Sequence, residues 1–334
     1  MRILIATGIY PPDIGGPAQY AKNLEEVFRK LEHKVSVKFF RFERRLPSGL
    51  RHLWYFFRII QAVWRSEVVF AFDTFSCALP ALLAAKIFRK KFIVRTGGDF
   101  LWESYVERTG DLVLFKNFYT AAPGKLSLKE RIIFCLTGFV LRHSSAVIFS
   151  TSWQRDIFVP AYGLNLSKLF IVENYYGLKE ASSTPEKKNF IAGTRPLKWK
   201  NDARLGEAFS LVAEKDESLV YDNATKPFDV FMERVASAYA VILVSLGDIS
   251  PNLILDAIRH NKPFIVTKET GLYERIKPCA IFVDPENVQE IAEKIQWLSD
   301  PLNYAEQKKN VEIFNFTHTW EDIAEEFLAI AQKV

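Results

Sequence analysis

The chain has 334 residues, which is enough for two domains, each with a hydrophobic core of its own. A hydrophobic content of 49% and a charged content of 25% are typical of a folded globular protein and exclude a disordered or fibrous one. The longest uncharged apolar stretches, 74–85 and 132–141, are shorter than the roughly 20 residues that a membrane-spanning helix needs.

The net charge of +5 is distributed unevenly. Residues 1–150 carry 23 Lys/Arg against 12 Asp/Glu, net +11, whereas the remainder carries 21 against 27, net −6. A basic, aromatic-rich first half predicts an anionic surface as partner. The chain passes from one short apolar run directly into a loop, so no secretory signal is predicted. The scattered Cys77, Cys135 and Cys279 lie in apolar sequence, and we therefore expect reduced core thiols in a cytosolic protein.

Strand-like and helical segments alternate through the first half. Strands are predicted at "RILIATGI", "KVSVKFFRF", "SEVVFAFD", "KFIVRT", "SAVIFS" and "KLFIVEN", with helices such as "GPAQYAKNLEEVFRKLEH" and "LKERIIFCLTGFVLRHS" between them. This alternation predicts βαβ units and a parallel sheet. Residues 175–189 are polar, contain Gly and Pro, and read as a linker.

The same alternation begins again after the linker. Strands are predicted at "FIAGT", "ESLVYDN", "AVILVSLG", "KPFIVTK" and "CAIFVD", and helices at "ARLGEAFSLVAEK", "PFDVFMERVASAY", "PNLILDAIRHN" and "VQEIAEKIQWLS". The sequence therefore predicts a second, smaller α/β domain. A last helical stretch, "TWEDIAEEFLAIAQKV", closes the chain.

The segment "GDISPNLILDAIRHNKPFIV" (247–266) reads as a strand end, a loop and a helix start. Ser250 is expected to be the N-cap and Pro251 the first helical residue, so that the first-turn amides form an anion site. Asp248 lies in the loop, where parallel sheets bind ligands, and Asp256 lies about two turns into the helix. On spacing alone the alternative is stronger, in which Asp248 is a turn residue and Asp256 a solvated helix residue.

This segment resembles the E-x7-E signature of retaining GT-B glycosyltransferases, in particular the large family 4 group. In that family two acidic residues, with seven residues between them, precede a helix that ends in "GKPVI". Here aspartate stands at both acidic positions, followed by "NKPFIV". The resemblance implies that Asp248 contacts the donor sugar and Asp256 the ribose. It also implies that backbone next to the sugar and diphosphate comes from Ile249, Ser250, Pro251, Asn252 and Leu253.

"GTRPLKWKND" (193–202) resembles the family's G-R-L-x-x-x-K-G segment, with Arg195 and Lys200 at the same five-residue spacing. Two cations over the phosphates can stabilise a departing nucleoside diphosphate without a metal. Lys198 is a competing candidate for the second cation. The alternative is an exposed basic loop.

Two segments of the first domain complete the resemblance. Gly15 and Gly16 follow the first strand and precede a helix, as in the family's first loop, where glycines let backbone amides approach a phosphate or sugar. "VRTGGDFLWES" (94–104) resembles a loop of a bacterial subgroup, so acceptor or donor-sugar contacts are expected from Asp99, Trp102 and Glu103. The alternative for this loop is a structural turn with a packing tryptophan. None of the five histidines lies in it, whereas many family members place one in this region.

A surface for anionic lipid is predicted in the first half. Residues 44–65 interleave five arginines with Trp54, Tyr55, Phe56, Phe57 and Trp64, and could form a basic aromatic face together with "KLSLKERIIFCLTGFVLRH". The alternative for any single helix is that its aromatics face a core. No RRM, KH or helix-turn-helix signature predicts nucleic-acid binding.

The resemblance implies an α/β protein of the GT-B class: two Rossmann-like domains with parallel sheets facing an interdomain cleft. Residues 1–177, joined by a helix at 319–334, would bind the acceptor, and residues 186–316 the nucleotide sugar. The implied reaction is transfer of a hexose-type sugar from a UDP- or GDP-linked donor to a hydroxyl, with retention and no metal or other cofactor. The implied acceptor is a lipid-linked or cell-envelope glycan precursor at the cytoplasmic face of the membrane. An inactive sugar-nucleotide-binding or scaffold subunit is the main alternative, and a GT-B epimerase is disfavoured by the missing histidine.

Overall fold

The computed structural model describes residues 1–13, 15–183, 185, 187–192, 196–214, 216–224 and 228–334, without the side chains of residues 42, 44, 48, 228 and 229. The contacts among residues divide the chain into two units. Unit 1 contains Met1–Leu101, Lys125–Tyr175 and His318–Val334, and unit 2 contains Trp102–Gly124 and Tyr176–Thr317. The chain therefore passes from one unit to the other four times.

Strands and helices alternate along most of the chain, except that α4, α5 and α6 follow one another, as do α12, α13 and α14, and β6 is followed by β7. The strands are β1 (Arg2–Thr7), β2 (Lys34–Phe39), β3 (Val68–Ala71), β4 (Lys91–Thr96), β5 (Ala146–Phe149), β6 (Leu169–Ile171), β7 (Lys188–Ala192), β8 (Leu219–Asp222), β9 (Ala240–Leu243), β10 (Phe264–Thr267) and β11 (Ile281–Val283). The helices are α1 (Gly16–Lys30), α2 (Ser48–Arg65), α3 (Ala78–Ile87), α4 (Phe100–Thr109), α5 (Phe115–Ala121), α6 (Leu128–His143), α7 (Ser152–Tyr162), α8 (Asp202–Ala213), α9 (Phe228–Ser237), α10 (Asn252–Arg259), α11 (Tyr273–Ile276), α12 (Val288–Ser299), α13 (Pro301–Ile313) and α14 (Trp320–Lys333).

In unit 1, the described strands form one parallel sheet in the order β2-β1-β3-β4-β5-β6. Strands β3, β4 and β5 are buried almost throughout, as expected for parallel strands covered on both faces. On one face, Leu24 and Phe28 of α1 pack with Ile323 and Phe327 of α14. Helix α14 begins with a capping box between Thr319 and Asp322, which satisfies two amides at its start.

In unit 2, the described strands form a second parallel sheet in the order β11-β10-β9-β7-β8. Helices α8 and α12 pack together on one face, through residues such as Phe209 and Ile295. Helices α9 and α10 supply the core of the other, through residues such as Val235 and Ile258. The prediction of two parallel-sheet α/β domains is thus confirmed.

The structure corrects the prediction about the cysteines, and it also bears on membrane-spanning helices. Cys77 and Cys279 are buried, but Cys135 is exposed on α6, so the prediction of core thiols is wrong for that residue. Its apolar neighbours in sequence misled the prediction, because an amphipathic helix also exposes some of its residues. In the part of the chain that the structure describes, no helix is both long and apolar enough to cross a membrane.

Candidate active site

The sheet of unit 2 reverses its winding direction between β7 and β9. Strand β8 lies on the far side of β7, whereas β10 and β11 lie on the far side of β9. The connections after β7 and β9 therefore lead to helices on opposite faces of the sheet, α8 and α10. In open parallel sheets, the crevice that this leaves at the carboxyl ends of the strands is where ligands bind. Lys200 follows β7 and Asp248 follows β9, so the predicted residues lie at this point of the fold.

Backbone and side-chain hydrogen bonds hold the two loops together. The Leu246 N–H donates to the Trp199 carbonyl at 2.9 Å. Asn201 is buried in a left-handed conformation, with φ of 65°, and its amide donates to the carbonyls of Val244 (3.0 Å) and Pro285 (2.7 Å). Asparagine tolerates this conformation better than most residues, which explains its use here. The loop after β7 is thereby fixed beside the loop after β9.

The result is an ion pair between the two predicted residues. The Lys200 Nζ lies 2.7 Å from an Asp248 carboxylate oxygen, and the two side chains are only 16% and 14% exposed. The Ser245 hydroxyl lies 3.4 Å from the same oxygen, and the Lys200 ammonium lies 4.2 Å from the centre of the Trp199 ring. A cation over an aromatic face is stabilised there without being neutralised, so Lys200 is positioned to meet a second anion.

The competing cation has another role. Lys198 Nζ donates to the Glu107 backbone carbonyl at 2.9 Å, which ties the loop after β7 to the end of α4. Lys200, not Lys198, is therefore the partner of Asp248. Arg195, the other predicted cation, lies outside the described residues.

Helix α10 begins one residue later than predicted. Its first residue is Asn252 and its N-cap is Pro251, so the expected Ser250 cap is wrong. The Ser250 hydroxyl is instead buried, and no described residue is its hydrogen-bond partner. Proline has no N–H of its own to satisfy, and the first amides of the helix have no intrahelical acceptors. The segment predicted to line the donor, 249–253, therefore includes first-turn amides that the helix itself cannot satisfy, and a buried hydroxyl without a partner among the described residues.

The Asp248 backbone continues the pairing of β9 with β10 beyond the sheet. Its N–H donates to the Glu269 carbonyl at 2.9 Å, and its carbonyl accepts from the Gly271 N–H at 3.1 Å. Glu269 itself is buried and forms an ion pair with Lys116 of α5. Sequence reasoning missed Glu269, although an acidic residue after the predicted strand "KPFIVTK" was the available signal.

Residues 102–124 pack over the ends of these strands within unit 2. The Trp102 indole is buried, donates to the Val113 carbonyl at 3.0 Å, and lies 5.2 Å from Phe115 and 5.5 Å from Trp199, between ring centres. The Phe115 N–H donates to the Leu246 carbonyl at 3.1 Å. Trp102 therefore helps to seat Trp199, the residue next to Lys200.

Close approach explains a glycine at this contact. A Cβ on Gly247 would lie 2.4 Å from the Cβ of Phe115, which no side chain could accept without movement. Of the other residues predicted in this region, Asp99 is buried and accepts from the Leu101 N–H at 2.9 Å, as in a structural turn. Glu103 is half-buried in the first turn of α4. Sugar contacts by Asp99, Trp102 and Glu103 stay a prediction.

Asp256 is half-buried on α10, about one turn from the start of the helix and not two as predicted. Burial raises the pKa of its carboxyl to about 6; the nearby Arg259 lowers this pKa and Glu180 raises it. No described residue donates a hydrogen bond to this carboxylate. A carboxylate that is desolvated in this way gains from a hydroxyl donor, because hydrogen bonds favour its charged form.

In unit 1, the equivalent reversal of winding lies between β1 and β3, and the loop after β1 contains Gly15 and Gly16. Gly15 is the N-cap of α1, with φ of 151° and ψ of 152°, a conformation that essentially only glycine adopts. Gly16 is the first residue of α1, and both glycines are exposed. Their contact with a donor stays a prediction.

No protein-family model and no curated protein sequence matches the chain. Solved structures, however, match it over its whole length. It is similar to HepE from Anabaena in complex with UDP and glucose (14% identity, TM-score 0.71, 100% of both chains) and to sucrose-phosphate synthase from Thermosynechococcus elongatus (10% identity, TM-score 0.69, 100% of this chain and 99% of that one). It is also similar to WaaG, a glycosyltransferase involved in lipopolysaccharide biosynthesis (12% identity, TM-score 0.68, 100% of both chains). At these identities the likeness establishes the fold, which is the predicted GT-B fold.

Proposed function

We propose that this protein is a retaining glycosyltransferase that moves a hexose-type sugar from a nucleotide diphosphate sugar to a hydroxyl. The observation that carries the proposal is the ion pair between Lys200 and Asp248 at the point where the sheet of unit 2 reverses its winding. The fold shared with glycosyltransferases and the two aspartates at the spacing of the family's acidic signature support it.

The proposed chemistry needs a cation, free amides and an acid in one place. As the bond between the sugar C1 and the diphosphate oxygen breaks, its electron pair leaves with the diphosphate, where Lys200, Arg195 and the first amides of α10 stabilise the charge. The acceptor oxygen forms its bond to C1 on the same face, and its proton passes to the departing diphosphate. Lys200 moves from Asp248 to the phosphates when the donor binds, which frees the Asp248 carboxylate to accept from sugar hydroxyls.

Asp256 is proposed to hold the ribose. Its carboxylate is half-buried, and hydroxyl groups would supply the hydrogen bonds that burial makes valuable. Gly15 and Gly16 are proposed to contact the donor from the first domain. Asp99 and Glu103 are proposed to contact the acceptor or the donor sugar, and Trp102 to support them.

The proposed donor is UDP- or GDP-linked, and the UDP and glucose bound to HepE make UDP-glucose the first donor to test. The proposed acceptor is a lipid-linked or cell-envelope glycan precursor. The charge of +11 in residues 1–150 supports peripheral contact with anionic lipid at the cytoplasmic face of the membrane.

The test measures nucleotide release from UDP- and GDP-sugars, with and without lipid-linked acceptors, for the wild type and for Asp248→Ala, Lys200→Ala and Arg195→Ala. Release that depends on all three residues supports the transferase, and product anomers identified by NMR decide between retention and inversion. Tight nucleotide binding without turnover on a broad acceptor panel would support a scaffold subunit instead. Failure to bind any sugar nucleotide would overturn both.

A further inference from the structure

Helix α2 presents three different faces. Tyr55, Ile59 and Val63, at intervals of four residues, are fully buried against the sheet of unit 1. Arg58, Ala62 and Arg65 follow a second line along the helix, next to the buried one. A third line, the exposed apolar stripe, contains Leu50, Leu53, Trp54, Phe57 and Trp64.

The exposed apolar stripe is unusually large for a surface helix. Its five side chains are each between 54% and 64% exposed, and they lie along about four turns of the helix, interrupted once by the polar Gln61. The neighbouring helix α3, which packs against α2, adds Leu83 (41%) and Ile87 (60%) to the exposed apolar surface of this unit. Single exposed apolar residues are common on protein surfaces and need no explanation. A contiguous row of them on one helix, in contrast, marks an interaction surface.

The second line of α2 borders a cavity of about 320 Å³. Its other wall is the edge strand β2, where Lys34, Ser36 and Lys38 alternate on the face of the sheet opposite to α1. At roughly 30 Å³ per water, the cavity has room for about ten waters, which is more than a phosphate group needs. We name it the β2–α2 cavity.

The β2–α2 cavity is strongly cationic. Five basic side chains line it: Arg2, Lys34, Lys38, Arg58 and Arg65. Of these, Arg2 pairs with Glu67 at 3.2 Å and Arg58 pairs with Glu43 at 2.8 Å. Among the described residues, no carboxylate forms an ion pair with the remaining three. Three uncompensated cations around one cavity repel each other, and an anion with several oxygens would relieve that repulsion.

The cavity and the exposed apolar stripe adjoin each other on the same helix. Gln61 lines the cavity, and it lies four residues after Phe57 and three residues before Trp64, that is, on the line of the stripe itself. An anion in the cavity therefore has apolar side chains at its side. A headgroup with attached acyl chains has this combination of charge and apolar surface, whereas a free phosphate or a nucleic acid has only the charge.

We propose that the β2–α2 cavity binds the phosphate of an anionic phospholipid headgroup, while the exposed apolar stripe of α2 lies in the membrane interface. Lys34, Lys38 and Arg65 contact the phosphate. Phe57 and Trp64 enter the boundary between headgroups and acyl chains. The site is in unit 1 and rests on the peripheral lipid contact proposed above, but not on sugar transfer. Nucleotide release and vesicle binding are measured separately, so failure of the one is distinguishable from failure of the other.

The first experiment measures co-sedimentation of the full chain with vesicles of phosphatidylcholine, alone or mixed with phosphatidylglycerol. Replacing Lys34, Lys38 and Arg65 together by Gln lowers binding to the mixed vesicles about a hundredfold, since each basic residue near an anionic surface contributes about fivefold, or about 1 kcal/mol. The matched control removes three cations from the α1 and α14 side, through Lys22→Gln, Lys30→Gln and Lys333→Gln. An equal loss in the control would overturn the proposal, because binding would then follow net charge alone.

A second pair of variants separates the cavity from the stripe. Ala62→Leu adds side-chain volume to the cavity without changing charge, and is expected to abolish the preference for phosphatidylglycerol. Phe57→Ser with Trp64→Ser lowers binding to both kinds of vesicle. Thermal melts verify that each variant is folded. Retained lipid preference in a folded Ala62→Leu variant would contradict the cavity as the headgroup site.

A third arm identifies the source of the phosphate. Glycerol 3-phosphate and inorganic phosphate are titrated by calorimetry in the absence of vesicles, and a short single-stranded DNA serves as a polyanion without acyl chains. If all three soluble anions bind weakly while the vesicles bind strongly, the result supports a phospholipid as the source of the phosphate. Vesicle binding no stronger than the binding of these soluble anions would overturn it.

Discussion

The ammonium of Lys200 lies 2.7 Å from the carboxylate of Asp248, although 48 positions separate the two residues in the chain. The pair is possible because β7 and β9 are neighbours in the sheet, and the Leu246 N–H binds the Trp199 carbonyl beyond their ends. With both side chains about 85% covered, each charge depends on the other for compensation.

Lys200→Ala is expected to lower turnover about 100-fold or more, because it removes a positive charge from the leaving diphosphate. The measurement is steady-state nucleotide release with saturating acceptor. Lys198→Ala is the matched control, since this cation, two residues away, binds a backbone carbonyl of α4 instead. The control should stay within about twofold of the wild type, as for a surface substitution. The reverse order of effects would show that Lys198 is the functional cation.

Asp256→Asn is expected to stabilise the protein at neutral pH while weakening nucleotide binding. Burial raises the pKa of this carboxyl from 3.8 to about 6, so between these values the native state retains a proton that the unfolded state releases. Stability therefore falls as pH rises from about 4 to about 6, and above this range the loss amounts to about 3 kcal/mol. The substitution should recover up to that amount at pH 7 and nothing at pH 4, as measured by urea unfolding at each pH.

Asp216→Asn provides a control of opposite sign. Hydrogen bonds from Lys188 and Ser218 lower the pKa of Asp216 to about 2, so its stabilisation is present above its ordinary pKa and lost as pH falls. This substitution should lower stability slightly at pH 7 and leave nucleotide binding intact. If Asp256→Asn were also destabilising at pH 7, its carboxylate would have a hydrogen-bond donor in the native state.

Gly247→Ala is expected to destabilise unit 2 by about 1–3 kcal/mol, because the new methyl group would displace Phe115. The displacement would also loosen Trp102 and Trp199, and so raise the KM for the donor. Unfolding and donor titration are measured on the same sample. Gly206→Ala in the interior of α8 is the control, since nothing lies within 4 Å of a Cβ there. That change should stabilise by about 0.5–1 kcal/mol, as expected for glycine to alanine in a helix.

His318 is expected to make the docking of α14 depend on pH. Burial lowers the pKa of this imidazole, but the Glu326 carboxylate 3.6 Å away and the hydrogen bond to the Asn174 carbonyl outweigh burial, and the net pKa is raised. The charged form is therefore favoured in the native state, and its stabilisation is complete below about pH 6.5 and lost as pH rises through the raised pKa. His318→Gln should remove this dependence, whereas His143→Gln, at an exposed position on α6, should keep it. Parallel curves of unfolding free energy against pH for the wild type and His318→Gln would refute the effect.

Chelation by EDTA is expected to leave sugar transfer unchanged, because Lys200 and Arg195 are proposed to neutralise the diphosphate without a metal. Transfer rates are compared before and after treatment, with added Mn²⁺ as the control. A loss of activity that Mn²⁺ restores would show that the two cations are insufficient.

The fold could be predicted from sequence because it depends on two local patterns, the short apolar runs of the strands and the helical periodicity that follows each of them. Strands β3, β9 and β10 are short apolar runs buried on both faces, and each is followed by a helical pattern. The proximity of Lys200 and Asp248 was also accessible, since both follow strands of a parallel sheet. The one-residue error at α10 arose because Ser250 and Pro251 fit two adjacent positions of a helix start equally well.

Other features could not be predicted, because they depend on packing between distant segments. The packing of Trp102 against Trp199 and the pairing of Lys116 with Glu269 join parts of the chain that are about 100 and 150 residues apart. Predicting the β2–α2 cavity would likewise have required knowing which side of β2 faces α2. The sequence of α2 mixes apolar and basic residues, and only the structure separates them into buried, cationic and exposed lines.

Residues 102–124 belong to unit 2 and residues 318–334 belong to unit 1, which has a practical consequence for work with fragments. Cutting the chain within the polar segment near residue 180 would not yield two independent halves. The amino-terminal piece would lack α14, leaving Leu24 and Phe28 exposed, and would carry away the residues that cover Gly247. Separate production of each unit therefore requires a rearranged gene, in which 318–334 is fused to the first piece and 102–124 is supplied to the second.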